Sequence, residues 1–335
     1  MKPQTLDPHA RLERSERSSG VWGGAPAAGG NPPTTPVNRP SEDREREKKR
    51  TNGVELFTIE RAFYTGDYQQ VISLDISGFK DPAKLRAQVL VARANIQLGK
   101  GRDVISQLNG STEPDLAVVK AYAEYQAGIK TGLAAVEKLI QSNSENATVQ
   151  YIGGLVLVAE KKYPEALQLL GQHQGSLECV SLIIQIHLIQ NRPDSAAKLV
   201  NEARKWAQDN VVFNVSEAWT NLRLGPEKAQ SAFYIYEELA TGGVASARSL
   251  LGQGVAQIEL GRYPEGEELI SEALQLEPEN PEVLANAIAS AILNGKDYTD
   301  YESKLEQVQR DHPSLVALKE KSDLFDKVAA KYQVA

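Results

Sequence analysis

Sulfur chemistry is almost missing from this chain of 335 residues, in which Cys179 is the single cysteine. One thiol cannot close an internal disulfide. Its place in the apolar run 179–189 suits a small buried hydrophobe better than a nucleophile, which would need a base and an oxyanion hole. Aromatic residues are scarce too, at 6% against 41% hydrophobic. The core must therefore come mostly from Ala, Leu, Ile and Val, which favours close-packed helices over a strand-rich sandwich. Long apolar runs are lacking. The most apolar stretches, residues 151–159 and 179–189, fall short of the roughly 20 residues a membrane-spanning helix needs, and they read as buried helices. The start shows no apolar segment of the secretory type, so no leader is expected. On that reading the Asn-x-Ser/Thr triplets at Asn109, Asn146 and Asn214 are chance matches.

A basic stripe is also missing. Net charge is −7, yet residues 1–53 hold ten Lys and Arg against seven Asp and Glu, about +3, which leaves the remainder at about −10. An acidic body without a basic face argues against nucleic acid as a partner. The four histidines, His9, His173, His187 and His312, lack zinc-ligand spacing. His187, inside an apolar helix, is expected to be a satisfied structural residue. Adjacent carboxylates such as Glu237-Glu238 and Glu267-Glu268 point about 100° apart on a helix, so they form solvated faces rather than an acid/base pair. Gly252-Gln253-Gly254 follows no strand and lacks the Lys-Ser/Thr of a phosphate loop. Together with Gly153-Gly154 it reads as a site of close helix packing. No catalysis, cofactor, metal or small-molecule substrate is expected.

What is present is a repeated helical texture. Residues 1–53 are rich in Gly and Pro and end in the mixed-charge run 42–50, which includes Lys48-Lys49-Arg50. Such a segment buries too little apolar area to offset its ordering entropy, so a disordered extension is expected. From residue 54 to 335 apolar residues recur at helical spacing, as in Leu116, Val119, Tyr122 and Ala123, or Leu269, Ile270, Ala273 and Leu274. Short turns punctuate them at Gly66, Gly99, Gly128, Lys161, Asn191, Gly225, Gly261 and Gly295, spaced as in stacked helical pairs. The clearest unit spans 247–278. It has Gly254 and Gly266 at a close helix approach, Pro264 in the first turn of its second helix and a terminal Pro278. Asn280-Pro281-Glu282 then caps and starts the next helix. Tyr163-Pro164-Glu165-Ala166 is a similar helix start, and Ala196 and Ala203 mark a degenerate unit. This pattern resembles the tetratricopeptide repeat. One pair cannot bury its own apolar stripe, and stacking neighbours complete the core and generate curvature. The expected fold is therefore an all-α solenoid of helical hairpins over 54–335, with a concave face that docks a partner.

Aromatic side chains are frequent anchors at such faces, which makes Tyr64, Tyr122, Tyr125, Tyr151, Trp219 and Tyr234 the candidate partner-binding residues. Trp219, one helical step from Leu222, is expected to pack on the following helix, and of Phe233, Tyr234 and Tyr236 not all can face one core.

Several segments together are similar to the epsilon subunit family of coatomer. They are Glu55-Leu56-Phe57 with the run 62–70 (Ala-Phe-Tyr-Thr-Gly-Asp-Tyr-Gln-Gln); Gly175-Ser176-Leu177-Glu178-Cys179 with Gln185-Ile186; Ala218-Trp219 with Gly225-Pro226-Glu227-Lys228 and 232–238; Gly261-Arg262-Tyr263 with the helix after it; and His312-Pro313 with Phe325-Asp326. The similarity covers about residues 54–335, and the first 53 depart from it. The resemblance implies a non-enzymatic scaffold subunit of the COPI vesicle coat. Its repeats curl round a projecting hairpin of the alpha subunit's C-terminal domain within the heptameric coat. It implies a cytoplasmic protein, peripheral on Golgi membrane and coated vesicles, serving Golgi-to-endoplasmic-reticulum and intra-Golgi transport. The alternative is a tetratricopeptide adaptor or co-chaperone that holds a peptide tail of another protein. Capture of acidic tails would call for clustered Lys, Arg and Asn on neighbouring first helices, and no such cluster is evident.

Overall fold

The computed structural model describes residues 56–241 and 245–332; the expected disordered extension, with His9 and Lys48-Lys49-Arg50, lies outside them. The described residues contain no strand. Their helices come in antiparallel pairs: α1 (56–65) with α2 (Tyr68–Ser73), α3 (Ala83–Gln97) with α4 (Gly101–Gln107), α5 (Pro114–Gln126) with α6 (Thr131–Ser142), and α7 (Ala147–Ala159) with α8 (Tyr163–Leu170). The series continues with α9 (Leu177–Ile189) and α10 (Pro193–Ala207), α11 (Val211–Arg223) and α12 (Pro226–Thr241), α13 (Ala247–Glu259) and α14 (Tyr263–Leu276), then α15 (Pro281–Leu293) and α16 (Thr299–Val308). A last helix, α17 (Pro313–Ala329), has no buried residue of its own.

Local chemistry sets the helix starts. Asn146, Ser176, Asn210, Ser246 and Asn280 each cap a first helix by accepting a backbone N–H with the side chain. Proline occupies the first turn of α5, α8, α10, α14, α15 and α17, where its missing donor costs nothing. The two most apolar stretches are α7 and α9. They are apolar on nearly all sides because each is packed on several: α7 against α5, α6, α8 and α9, and α9 against α7, α8, α10 and α11.

Each of the eight turns contains one residue in the left-handed region: Gly66, Gly99, Gly128, Lys161, Asn191, Gly225, Gly261 and Gly295. This closes the first helix of each pair and frees the chain to reverse. At Lys161 (φ 59) a side chain occupies a position that six other turns give to glycine. A left-handed residue with a Cβ costs about 1–2 kcal/mol, and glycine returns part of that as chain entropy. Lys161→Gly is therefore expected to stabilise the protein by about 0.5–1 kcal/mol, measurable as a raised urea midpoint.

Successive apolar clusters run along the stack, each bridging neighbouring pairs. Val104 of α4 meets Val119 of α5 and Ile152 of α7; Leu170 of α8 meets Leu182 of α9; Val200 of α10 meets Phe213 of α11. Close packing depends on glycine where the sequence indicated. A Cβ on Gly254 would lie 3.0 Å from the Gly266 carbonyl oxygen, and one on Gly266 would lie 2.9 Å from that of Gly254. Gly153 and Gly154 are pressed in the same way against Ile140 and Leu170. Trp219 and Leu222 pack on α12 in a cluster with the buried Tyr236, as expected, whereas Tyr234 is exposed.

Candidate functional site

The small rotation from pair to pair accumulates until the array meets its own beginning. The turn between α1 and α2 touches the start of α13: the Ser246 hydroxyl donates to the Thr65 carbonyl at 2.6 Å. The Arg248 guanidinium sits 5.8 Å from the Tyr68 ring centroid. The arc from α1 to α13 is thus closed, and its inner face surrounds a central cavity of about 590 Å3.

An ion network braces the inner wall. Arg86 and Arg93 stand seven residues apart on α3, two turns along one face. Both reach across to Glu178 at the start of α9, at 2.6 Å and 2.5 Å. Arg86 also donates to Glu60 at 3.1 Å and to the Tyr64 hydroxyl at 2.9 Å. The Arg93 guanidinium lies between the rings of Phe63 and Tyr151, 4.6 Å and 4.7 Å from their centroids, a doubled cation–π contact. Burial alone would raise the Glu178 carboxyl. The charges of Arg93 and Arg86 and their hydrogen bonds outweigh it and bring it down to about 2. Burial lifts the Tyr151 phenol to about 12, against the pull of Arg93. The Tyr64 phenol is raised by burial and then by the Glu178 charge.

Four of the six aromatic candidates meet here. Tyr64, Tyr122, Tyr151 and Trp219 line the cavity with Phe63, Tyr68 and Arg93. The structure does not bring the other two to that lining. Tyr125 turns to the rim, where its hydroxyl donates to Glu160 at 2.6 Å; that hydrogen bond, then burial, lifts its phenol to about 12. Tyr234 faces outward from α12 and is 58% exposed. Sequence reasoning did not single out Arg93 and Arg248 in the lining or Arg86 behind it, and read Glu282 only as part of a helix start. A usable signal was present in Arg93, a charge set within the apolar run 89–96.

The groups weighed for chemistry fall elsewhere. Cys179 is buried, and burial lifts its thiol to about 11. His173 accepts from the Gly175 N–H in its turn. His312, 2% exposed, caps α17 by accepting from the Ser314 N–H. The expectation of a satisfied His187 is corrected: its Nδ1 is buried without a hydrogen-bond partner. It lies in the last turn of α9, where burial and the Arg192 charge lower its pKa, so the neutral ring is favoured. Glu267 is no plain solvated carboxylate either, since it pairs with Lys296 at 2.7 Å. Among the described residues no cluster of His, Cys, Asp and Glu could hold a metal ion, and no helix is long and apolar enough to cross a membrane. The cavity offers what a docking surface offers: aromatic faces, a few fixed charges and an enclosing shape.

The match to a known family decides the assignment. The model for the coatomer epsilon subunit covers residues 52–333. The chain belongs to the coatomer epsilon subunit family. It is similar to coatomer subunit epsilon-1 of Oryza sativa subsp. japonica, 29% identical over 269 residues, which span 79% of this chain and 92% of that protein. It is 27% identical over 285 residues to coatomer subunit epsilon of Caenorhabditis elegans, covering 82% of this chain and 97% of the other. To the probable coatomer subunit epsilon of Schizosaccharomyces pombe it is 26% identical over 245 residues, covering 72% and 82%. Among solved structures, a chain of the APC/C hetero-tetramer Cut9-Hcn1 superimposes with a TM-score of 0.53 at 11% identity, over 72% of this chain and about half (49%) of that one. That likeness concerns the fold alone. As a coatomer epsilon family member the chain is a coat subunit, a scaffold rather than an enzyme. Two of the segments that carried the resemblance, 62–70 and 175–179, supply Phe63, Tyr64, Tyr68 and Glu178 to the cavity wall.

Proposed function

We propose that the central cavity holds a projecting element of the coatomer alpha subunit's C-terminal domain, and that the chain thereby stabilises the outer layer of the COPI coat in the cytoplasm, on Golgi membrane and on vesicles moving within the Golgi and back to the endoplasmic reticulum. The observation that carries this reading is the closed arc, whose inner wall places Tyr64, Tyr122, Tyr151 and Trp219 around one enclosed space. Enclosure lets a partner element be contacted from several sides, and aromatic anchors in such a setting are the usual energetic centres of an interface. The other reading, an adaptor gripping an acidic tail, needs unpaired cations facing the cavity. Arg93 is instead paired with Glu178, and Arg248, the other cation of the lining, stands singly rather than in a cluster, which disfavours it.

Titration calorimetry with the purified alpha C-terminal domain tests the proposal. The full chain is expected to bind, and Tyr122→Ala or Trp219→Ala to weaken binding about tenfold, the loss of a moderate hot spot. Tyr234→Ala, on the outer surface, is expected to leave affinity within about twofold. A full chain that shows no binding, or a Tyr234 variant that loses as much as the cavity variants, overturns the assignment.

A further inference from the structure

The closed arc is held together unevenly. On one side α1, α3, α7 and α9 are tied by the Arg86–Glu178–Arg93 network and the stacking of Phe63 and Tyr151 on Arg93. On the other side, where the α1–α2 turn meets α13, the contacts between described residues are slight. They are the Ser246–Thr65 hydrogen bond, the 5.8 Å approach of Arg248 to Tyr68, and the packing of Gly66 on the Arg248 side chain. Among the described residues no apolar cluster spans this seam. The cluster around Ile59, Phe63 and Val71 ends within the first three helices, and the cluster around Leu250 and Ile270 draws only on the C-terminal arm. Elsewhere around the arc neighbouring helices follow one another in the chain and pack side by side, as α12 does on α13. Glu178 and Tyr64 also stand between the central cavity and a second, open cavity of about 860 Å3 that they help to line. Passage along the axis from that side is therefore obstructed by the ion network.

We propose that the seam between the α1–α2 turn and α13 is a gate, which parts to admit a partner element sideways into the central cavity and closes behind it. The N-terminal block, fixed by the ion network, stays in place. The arm from α13 onward swings, the change being shared among the stacked pairs between α9 and α13 as small shear steps. The proposal rests on the cavity being the partner-binding site, and its test separates the two claims.

A Cβ built on Gly66 lies 3.3 Å from the Arg248 Cβ, close to the roughly 3.5–4.5 Å that a disulfide spans. The double variant Gly66→Cys/Arg248→Cys should thus staple the seam in the full chain, and Cys179, buried, is not expected to compete. Association with the alpha C-terminal domain is followed by stopped flow. Arg248 borders the cavity, so the reduced double variant sets the reference rate, and the same variant oxidised before mixing is expected to associate about 100-fold more slowly than it, since the conformational step that binding needs is blocked. Reductant should restore the rate, and oxidation after assembly should slow dissociation to a similar degree. A pre-oxidised ring that associates as fast as the reduced variant overturns the gate while leaving the cavity assignment intact. Wild-type chain that fails to bind removes the cavity assignment and the gate with it. Should Gly66→Cys, at φ +94, impair folding, Ser246→Ala, which removes the hydrogen bond to the Thr65 carbonyl, is expected to raise the association rate several-fold, and an unchanged rate overturns the gate.

Discussion

Glu178→Ala is expected to lower stability by about 3–5 kcal/mol, because it strands the buried Arg93 guanidinium without a carboxylate and leaves Arg86 with Glu60 alone. At about 1.5 °C per kcal/mol for a chain of this size, the thermal midpoint should fall by roughly 4–8 °C. The cause is the charge left behind more than the pair removed. Arg93→Met added to Glu178→Ala is therefore expected to recover part of the loss, giving a favourable coupling in a double-mutant cycle. Acid titration reads the same network. The folded-state carboxyl lies at about 2, below its ordinary value of 4.5, so its contribution is complete above about pH 4.5 and is lost as pH falls through about 2. Wild-type protein should lose stability across that window, and Glu178→Ala should lack this share of the acid limb. Chemical unfolding at a series of pH values measures both; a variant as stable as wild type at pH 7 would show the network to be ornamental.

The second large effect concerns the contact between α13 and α14. Alanine is normally favoured over glycine inside a helix by about 1 kcal/mol. At Gly254 the sign should reverse, with Gly254→Ala costing up to about 3 kcal/mol. The new Cβ would lie 2.8 Å from Ile270 Cγ1 and 3.0 Å from the Gly266 carbonyl oxygen, and neither the core side chain nor the backbone has room to withdraw. Gly266→Ala meets the reciprocal obstacle, the Gly254 carbonyl oxygen at 2.9 Å. Once one substitution has pushed the helices apart, the second finds space, so the double variant should lose well under the sum of the singles. Urea unfolding of the three variants decides the point, and strict additivity would contradict a single shared contact.

Much of this architecture was legible because it is local. The turns at Gly66 through Gly295 and the cap Asn280 act within a few residues of themselves, and so do the paired glycines 254 and 266 once a hairpin is assumed. The apolar stretches that became α7 and α9 were equally plain. The cavity was half legible. Tyr64, Tyr122, Tyr151 and Trp219 were chosen because aromatics are common anchors at interfaces, and nothing in their spacing told them from Tyr125 or Tyr234. The difference lies in which side of a helix faces the axis, and that follows from the accumulated rotation of the stack. The Arg86–Glu178 and Thr65–Ser246 contacts, 92 and 181 residues apart, depend on the same accumulation. No single pair encodes it. His187 was misjudged for a simpler reason: its helix ends there, and no neighbouring element supplies a donor or acceptor for Nδ1.

Open repeat arrays behave as one-dimensional chains of springs, in which each unit feels only its neighbours and an end can fray without consequence for the middle. A loop whose first turn rests on its thirteenth helix cannot do so. Loosening either terminus relaxes the curvature of every unit between them, so truncation at one extremity should be felt at the other, and the molecule melts as a hoop rather than as a ladder.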